Sequence, residues 1–158
     1  MDIGRLLYDL IIMSDDVRID YENGYYIGEV SPSGDEEGLG MFRWSNGNSY
    51  VGRWHSGMKH GRGTFRVPGK WVYEGDFDAD DMTGRGRMRW EDGTEYEGDF
   101  HQGAMQGRGT LRWPDGRVYE GGFVSGMMEG MGILRAGDGK VIYSGEWIQN
   151  CPVTQTQG

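Results

Sequence analysis

Cysteine is almost missing from this sequence. Cys151 stands alone, so no disulfide framework and no cysteine-built metal centre can form within one chain. That usage fits a reducing compartment. Proline is scarce, with 4 residues in 158, which excludes a proline-rich or collagen-like chain. Near the start the longest apolar run is Leu10-Ile11-Ile12-Met13, far short of the roughly 20 residues that a membrane-spanning helix needs. Positive charge is also in short supply. Sixteen basic residues face 25 acidic ones, a net charge of −9, which disfavours nucleic acid and bulk anionic membrane as partners. Asp2 stands where a secretory leader would be basic, and there is neither a myristoylation glycine at position 2 nor a C-terminal prenylation box. The expectation is an intracellular, cytoplasmic protein.

Two residue classes are abundant. Aromatics number 20 (6 Trp, 9 Tyr, 5 Phe), which argues against disorder although only 36% of the chain is apolar. Glycine contributes 30 residues of 158, against a usual share of roughly 7%. These glycines carry a period. Tyr-x-Gly recurs at Tyr26-Ile27-Gly28, Tyr50-Val51-Gly52, Tyr73-Glu74-Gly75, Tyr96-Glu97-Gly98, Tyr119-Glu120-Gly121 and Tyr143-Ser144-Gly145, at spacings of 24, 23, 23, 23 and 24. Two residues beyond each glycine stands Val30, Trp54, Phe77, Phe100, Phe123 or Trp147. Gly-x-Gly follows at Gly38/Gly40, Gly61/Gly63, Gly84/Gly86, Gly107/Gly109 and Gly130/Gly132. A turn comes next: Asn46-Gly47, Pro68-Gly69, Asp92-Gly93, Asp115-Gly116 and Asp138-Gly139. A fixed period of this length marks a repeat array.

The pattern resembles the MORN repeat, Tyr-x-Gly-x-aromatic followed by Gly-x-Gly. The resemblance covers residues 26–150, as five full copies and a trailing half copy. Three departures stand out. Val30 replaces the aromatic of the first copy, that copy has one extra residue before Gly38, and Asp80 stands where Gly57, Gly103 and Gly126 stand elsewhere. These mark the first repeat as an imperfect cap.

Strand side chains alternate between two faces. Tyr50, Gly52 and Trp54 therefore share a face with Gly61, Gly63, Phe65 and Val67. The second strands add Phe42, Phe65, Met88, Leu111 and Leu134, and also Trp44, Trp90 and Trp113. Each repeat reads as a β-hairpin with one aromatic face, closed by Asn-Gly or Asp-Gly turns. The glycines leave bare backbone on which a neighbouring repeat's ring can lie. One hairpin is marginal alone, so stacked neighbours must complete the apolar layer. The expected fold is all-β: an elongated, single-layer antiparallel sheet of tandem hairpins. Its curvature into a trough is what the resemblance implies.

On the opposite face, Arg43, Arg66, Arg89, Arg112 and Arg135 form one column, and Glu74, Asp76, Glu97, Asp99, Glu120 and Glu146 another. These columns predict cross-strand ion pairs. Charge is also segregated along the chain. Residues 1–37 carry 10 acids and 2 bases, residues 38–72 no acids and 6 bases, residues 73–99 10 acids and 3 bases, and residues 100–158 five of each. The basic block, with Arg43, Arg53, Lys59, Arg62, Arg66 and Lys70, is a candidate contact for an acidic partner or a phosphate headgroup. Its other reading is pairing with the acidic block beside it.

The first 25 residues differ from the array. Ile3, Leu6, Leu7, Leu10 and Ile11 fall at helical spacing, so a short amphipathic helix is predicted over 2–13, followed by a degenerate half repeat. That helix either covers the protein's own apolar face or docks on a partner. Residues 151–158 read as a flexible tail.

No catalytic constellation emerges. His55, His60, His101 and Cys151 do not recur with the repeat, and no nucleophile elbow, zinc-protease motif or phosphate-binding loop accompanies them. Asp76-Phe77-Asp78-Ala79-Asp80-Asp81 fails as a calcium loop, with Asp81 where the loop needs glycine and Arg87 where it needs glutamate. No enzyme activity, cofactor or metal is expected. What remains is a protein-interaction scaffold gripping a helix or an extended segment. The resemblance implies a cytoskeletal, ciliary or flagellar setting. The inward rings Tyr50, Trp54, Tyr73, Phe77, Trp90, Tyr96, Phe100, Trp113, Tyr119 and Phe123 are the candidate contacts. The alternatives are a phosphoinositide-binding membrane tether using residues 38–72, and a structural protein that self-assembles end to end through edge strands.

Overall fold

The computed structural model describes residues 16–154, and the predicted helix over 2–13 lies outside them. Among the described residues there is no helix. Thirteen strands follow one another in the sheet in chain order. They are β1 (Val17–Tyr21), β2 (Gly24–Val30), β3 (Glu36–Trp44), β4 (Ser49–His55), β5 (Met58–Val67), β6 (Trp71–Asp78), β7 (Asp81–Trp90), β8 (Glu95–His101), β9 (Ala104–Arg112), β10 (Val118–Val124), β11 (Met127–Arg135), β12 (Val141–Ile148) and β13 (Cys151–Pro152). Cys151 and Pro152, assigned to the tail from sequence, pair with Ile148 and Trp147. The chain divides into two compact units, with the boundary between Met82 and Thr83.

One register recurs. In the first unit Gly40 faces Gly52, Gly52 faces Gly63, and Gly63 faces Gly75. In the second, Gly98 faces Gly109 and Gly121 faces Gly132. Beyond the glycine of each first strand the register shifts, between Gly52 and Trp54, Gly98 and Phe100, and Gly121 and Phe123. Such a bulge takes one residue out of the ladder on that side and frees its carbonyl. The repeat tyrosine satisfies that carbonyl. The Tyr50 hydroxyl donates to Arg53 O at 2.9 Å, that of Tyr96 to Asp99 O at 2.9 Å, and that of Tyr119 to Gly122 O at 3.0 Å.

This bond draws each tyrosine ring down onto glycine. A Cβ at Gly63 would lie 2.5 Å from Tyr50 Cζ, and one at Gly109 2.5 Å from Tyr96 Cζ. The bare backbone therefore accommodates a ring of the same repeat, and not a neighbouring repeat's ring as the spacing suggested.

Neighbouring repeats are fastened at the two-residue turn after each first strand. Ser56 and Gly57 are both left-handed, at φ 50° and 76°. Gly57 N donates to Glu36 O one repeat back, and Gly126 N to Met105 O. At the two places where the sequence lacks this glycine, Asp80 (φ 75°) and Asn150 (φ 69°) take over. Their short polar side chains tolerate the left-handed region and add a bond. Asp80 Oδ1 accepts from Lys59 N at 2.9 Å and from Lys59 Nζ at 2.8 Å, and Asn150 Oδ1 accepts from Met128 N at 2.8 Å. Asp80→Ala loses these acceptors while keeping the strained φ, and is expected to cost about 1–2 kcal/mol. Asp80→Asn keeps an acceptor and should cost less than half of that. Urea midpoints check this, and equal losses for the two would contradict it.

Burial raises the phenol pKa of Tyr26, Tyr50, Tyr73, Tyr96 and Tyr119 above its ordinary value of 10. The unfolded chain ionises first as pH rises, so the stabilising contribution is complete below pH 10 and is lost as pH climbs through the folded values. Stability should hold up to about pH 10 and then fall steeply. The tyrosinate absorbance of these five of the nine tyrosines should appear together with loss of sheet signal; ionisation of all nine with the sheet intact would contradict this.

Candidate functional site

The ring-bearing face carries two sets of aromatics. The first is a ladder of edge-to-face pairs linking repeat to repeat. In the first unit Trp54 sits between Tyr26 and Tyr50, with ring centroids at 5.4 and 5.1 Å, and Phe77 sits between Tyr50 and Tyr73, at 5.0 and 5.2 Å. In the second unit Phe123 lies 4.9 Å from Tyr96 and 5.3 Å from Tyr119, and Trp147 lies 5.1 Å from Tyr119 and 5.4 Å from Tyr143. Edge-to-face geometry at these distances adds to the gain from area burial. Apart from Tyr143, which is half-buried, these rings are covered. Tyr50, Tyr73, Tyr96 and Tyr119 are 0% exposed, while Phe77, Phe100, Phe123 and Trp54 are 2–6% exposed. Eight of the ten rings expected to contact a partner are therefore core.

The second set runs along the turn margin of the same face. Trp90 and Trp113 belong to it and are half-buried. The Arg117 guanidinium lies over Trp113, 5.3 Å from the ring centroid. In the first unit the corresponding residues are Tyr21, Trp44, Phe65 and Trp71, in contact through Phe42. Lys59 lies beside them, its Nζ 5.9 Å from the Trp44 centroid and 5.7 Å from that of Phe65. Tyr21 donates to Glu36 Oε1, and this bond leads the causes that push its phenol up to about 12.

Sequence reasoning passed over Tyr21 and Trp71 as contact residues. Trp71 stands two residues before the repeat tyrosine, where the other copies carry Gly24, Asn48, Thr94, Arg117 and Val141. A residue that does not recur is invisible to a search for periodicity. The signal that could have found it is strand alternation, which puts Trp71 on the face of Tyr73.

The charged face differs from the expected ladder. Two of the pairs use the residue between the two glycines of Gly-Arg-Gly, and a third joins Arg87 to Glu95 at 2.6 Å. Arg62 meets Asp76 at 3.5 Å, and Arg85 meets Asp99 at 3.3 Å. Register explains this, since Arg62 faces Asp76 and Arg85 faces Asp99, whereas Arg66 faces Val72. The basic block does not converge on one site. Arg43, Arg53, Arg62 and Arg66 project from the charged face, Lys70 lies in a turn, and Lys59 belongs to the opposite face, paired with Asp80. With His60 on Asp78 at 3.3 Å, three acids of the suspected calcium cluster, Asp76, Asp78 and Asp80, each face a base. Among the described residues no group of three or more His, Cys, Asp or Glu side chains could hold a metal ion. Among them, too, no helix is long and apolar enough to cross a membrane.

Five stretches of the chain, residues 33–49, 50–68, 73–95, 96–116 and 119–141, match the MORN repeat. The chain belongs to the MORN-repeat family. This repeat is a non-catalytic module that commonly mediates contacts with proteins or membranes. Among solved structures the chain is similar to the E1021V mutant of the TCP10 domain of Danio rerio CPAP, at 16% identity and a TM-score of 0.23, covering 87% of this chain and 86% of that one. No curated protein matches the chain.

Proposed function

We propose that this protein is a non-catalytic interaction scaffold whose ring-bearing face holds an apolar helix or extended segment of a protein partner, within a cytoskeletal or ciliary assembly. The observation that carries this reading is the division of labour among the rings. The ladder is sealed, yet each unit keeps a second, half-exposed set of tryptophans that the ladder does not need. Tryptophan anchors of this kind carry much of the energy of protein interfaces. On the charged face Arg62 and His60 are already engaged by Asp76 and Asp78, and on the ring-bearing face Lys59 by Asp80, which favours the protein partner over a phosphate headgroup.

The test uses the full chain as bait for a displayed library of fifteen-residue peptides. Affinities of the selected peptides are then measured by calorimetry, beside vesicles containing phosphatidylinositol 4,5-bisphosphate. Trp90→Ser and Trp113→Ser together should weaken peptide binding by roughly tenfold or more with little change in thermal midpoint. Peptide affinity indifferent to these substitutions, or salt-sensitive vesicle binding in place of peptide binding, would overturn the reading.

A further inference from the structure

Tyr21, Trp44, Phe65 and Trp71 of the first unit, all exposed or half-buried, form a shelf joined through the buried Phe42. Centroids are 5.5 Å apart for Tyr21 and Phe42, 4.5 Å for Phe42 and Trp44, 5.4 Å for Trp44 and Phe65, and 5.5 Å for Phe65 and Trp71. The shelf crosses from β1 to β6, and the run of centroids limits its length to about 21 Å. Its open end is the edge strand β1, where Val17 and Tyr21 are each 41% exposed on the ring-bearing side.

The segment that enters this edge strand has the complementary chemistry. Ile3, Leu6, Leu7, Leu10 and Ile11 make one aliphatic ridge at helical spacing. A helix over residues 2–13 would be about 18 Å long, within the length of the shelf. Ser14, Asp15 and Asp16 then give a link of about 10 Å back to Val17. Residues 1–15 carry Asp2, Asp9 and Asp15 against Arg5, a net charge of −2, and of the six bases in residues 38–72 Lys59 is the one on the ring-bearing face, where Asp80 also meets it. Lys59 of that block borders the shelf at Trp44 and Phe65.

We propose that residues 2–13 dock as an amphipathic helix on the aromatic shelf of their own chain, covering Tyr21, Trp44, Phe65 and Trp71. A short tether gives an effective concentration on the order of mM, so even a weakly binding segment is held there most of the time. An external segment with an aliphatic ridge and acidic flanks would compete for the same shelf. The docking stands apart from the partner proposed for Trp90 and Trp113, since the shelf lies wholly within the first unit.

Hydroxyl-radical footprinting resolved by residue tests this, comparing the full chain with its Leu6→Asp/Leu10→Asp variant. Trp44 and Trp71 should be oxidised roughly fivefold more slowly in the unsubstituted chain, the protection given by a segment bound about four-fifths of the time. Trp90 and Trp113 should react equally in both and so report an intact array. If they accelerate in the variant, Leu6→Ser/Leu10→Ser takes its place. Adding a synthetic peptide of residues 1–15 to the variant should restore protection at Trp44 and Trp71. Equal rates at these two positions would overturn the proposal. So would protection that fades on dilution as light scattering shows a dimer becoming a monomer, because the occupant would then be a second copy.

Discussion

Gly109→Ala is expected to cost about 3 kcal/mol, through overpacking against a ring that has nowhere to go. The new Cβ would lie 2.5 Å from Tyr96 Cζ. Tyr96 is held from below by its bond to Asp99 O and from the sides by Phe100 and Phe123, at 5.2 and 4.9 Å. Relief would require moving the ladder or the bulge. Gly139→Ala separates this effect from ordinary backbone strain. Gly139 has φ 85° and no atom within 4 Å of an added Cβ, so only left-handed strain is introduced, worth about 1–2 kcal/mol. Urea denaturation of the two variants compares them directly. A loss at Gly109 no larger than that at Gly139 would show that the ring does not require the bare glycine.

The second large effect lies on the other partner of that contact. Tyr96→Ala should cost roughly 3–5 kcal/mol, since a fully buried ring is removed from between two others. Tyr96→Phe keeps the ring and removes the hydroxyl. It leaves the Asp99 carbonyl without its donor and should cost about 1–2 kcal/mol. The ratio of the two losses separates ring packing from the bulge bond. A Phe variant as damaged as the Ala variant would place the energy in the hydrogen bond.

Much of this architecture was legible because it repeats. Tyr-x-Gly-x-aromatic and Gly-x-Gly gave the strands, their faces and the hairpin order, and the thirteen-stranded antiparallel sheet has that plan. What was not legible depends on register or on residues that occur once. The bulges at Arg53, Asp99 and Gly122 cannot be counted from spacing, and they decide which carbonyl each tyrosine reaches. Pair formation on the charged face also follows register, so Arg62 and Arg85 meet Asp76 and Asp99, while Arg66 of the recurring column faces Val72. Asp80 departs from the repeat pattern at a position where other copies carry glycine. It is a second solution to a left-handed turn, and Asn150 is the same solution again. For the candidate site the limit was different. Periodicity finds the rings that every copy needs, and those are the rings that end up buried. Trp71, accessible and outside the period, gave no recurring signal, whereas Tyr21 stands 23 residues before Trp44 in the column of Trp90 and Trp113, within a half repeat that lacks the Tyr-x-Gly mark.

The central distinction is between a sealed ladder that holds the sheet together and a margin of tryptophans that the fold can spare. The most direct measurement is a pair of urea midpoints in the same unit, Tyr96→Ala against Trp113→Ala. The predicted result is a loss of roughly 3–5 kcal/mol for Tyr96 and about 1 kcal/mol for Trp113, whose ring is half-exposed and rests against Arg117. A Trp113→Ala variant destabilised as much as Tyr96→Ala would contradict it, and would make the marginal tryptophans part of the core.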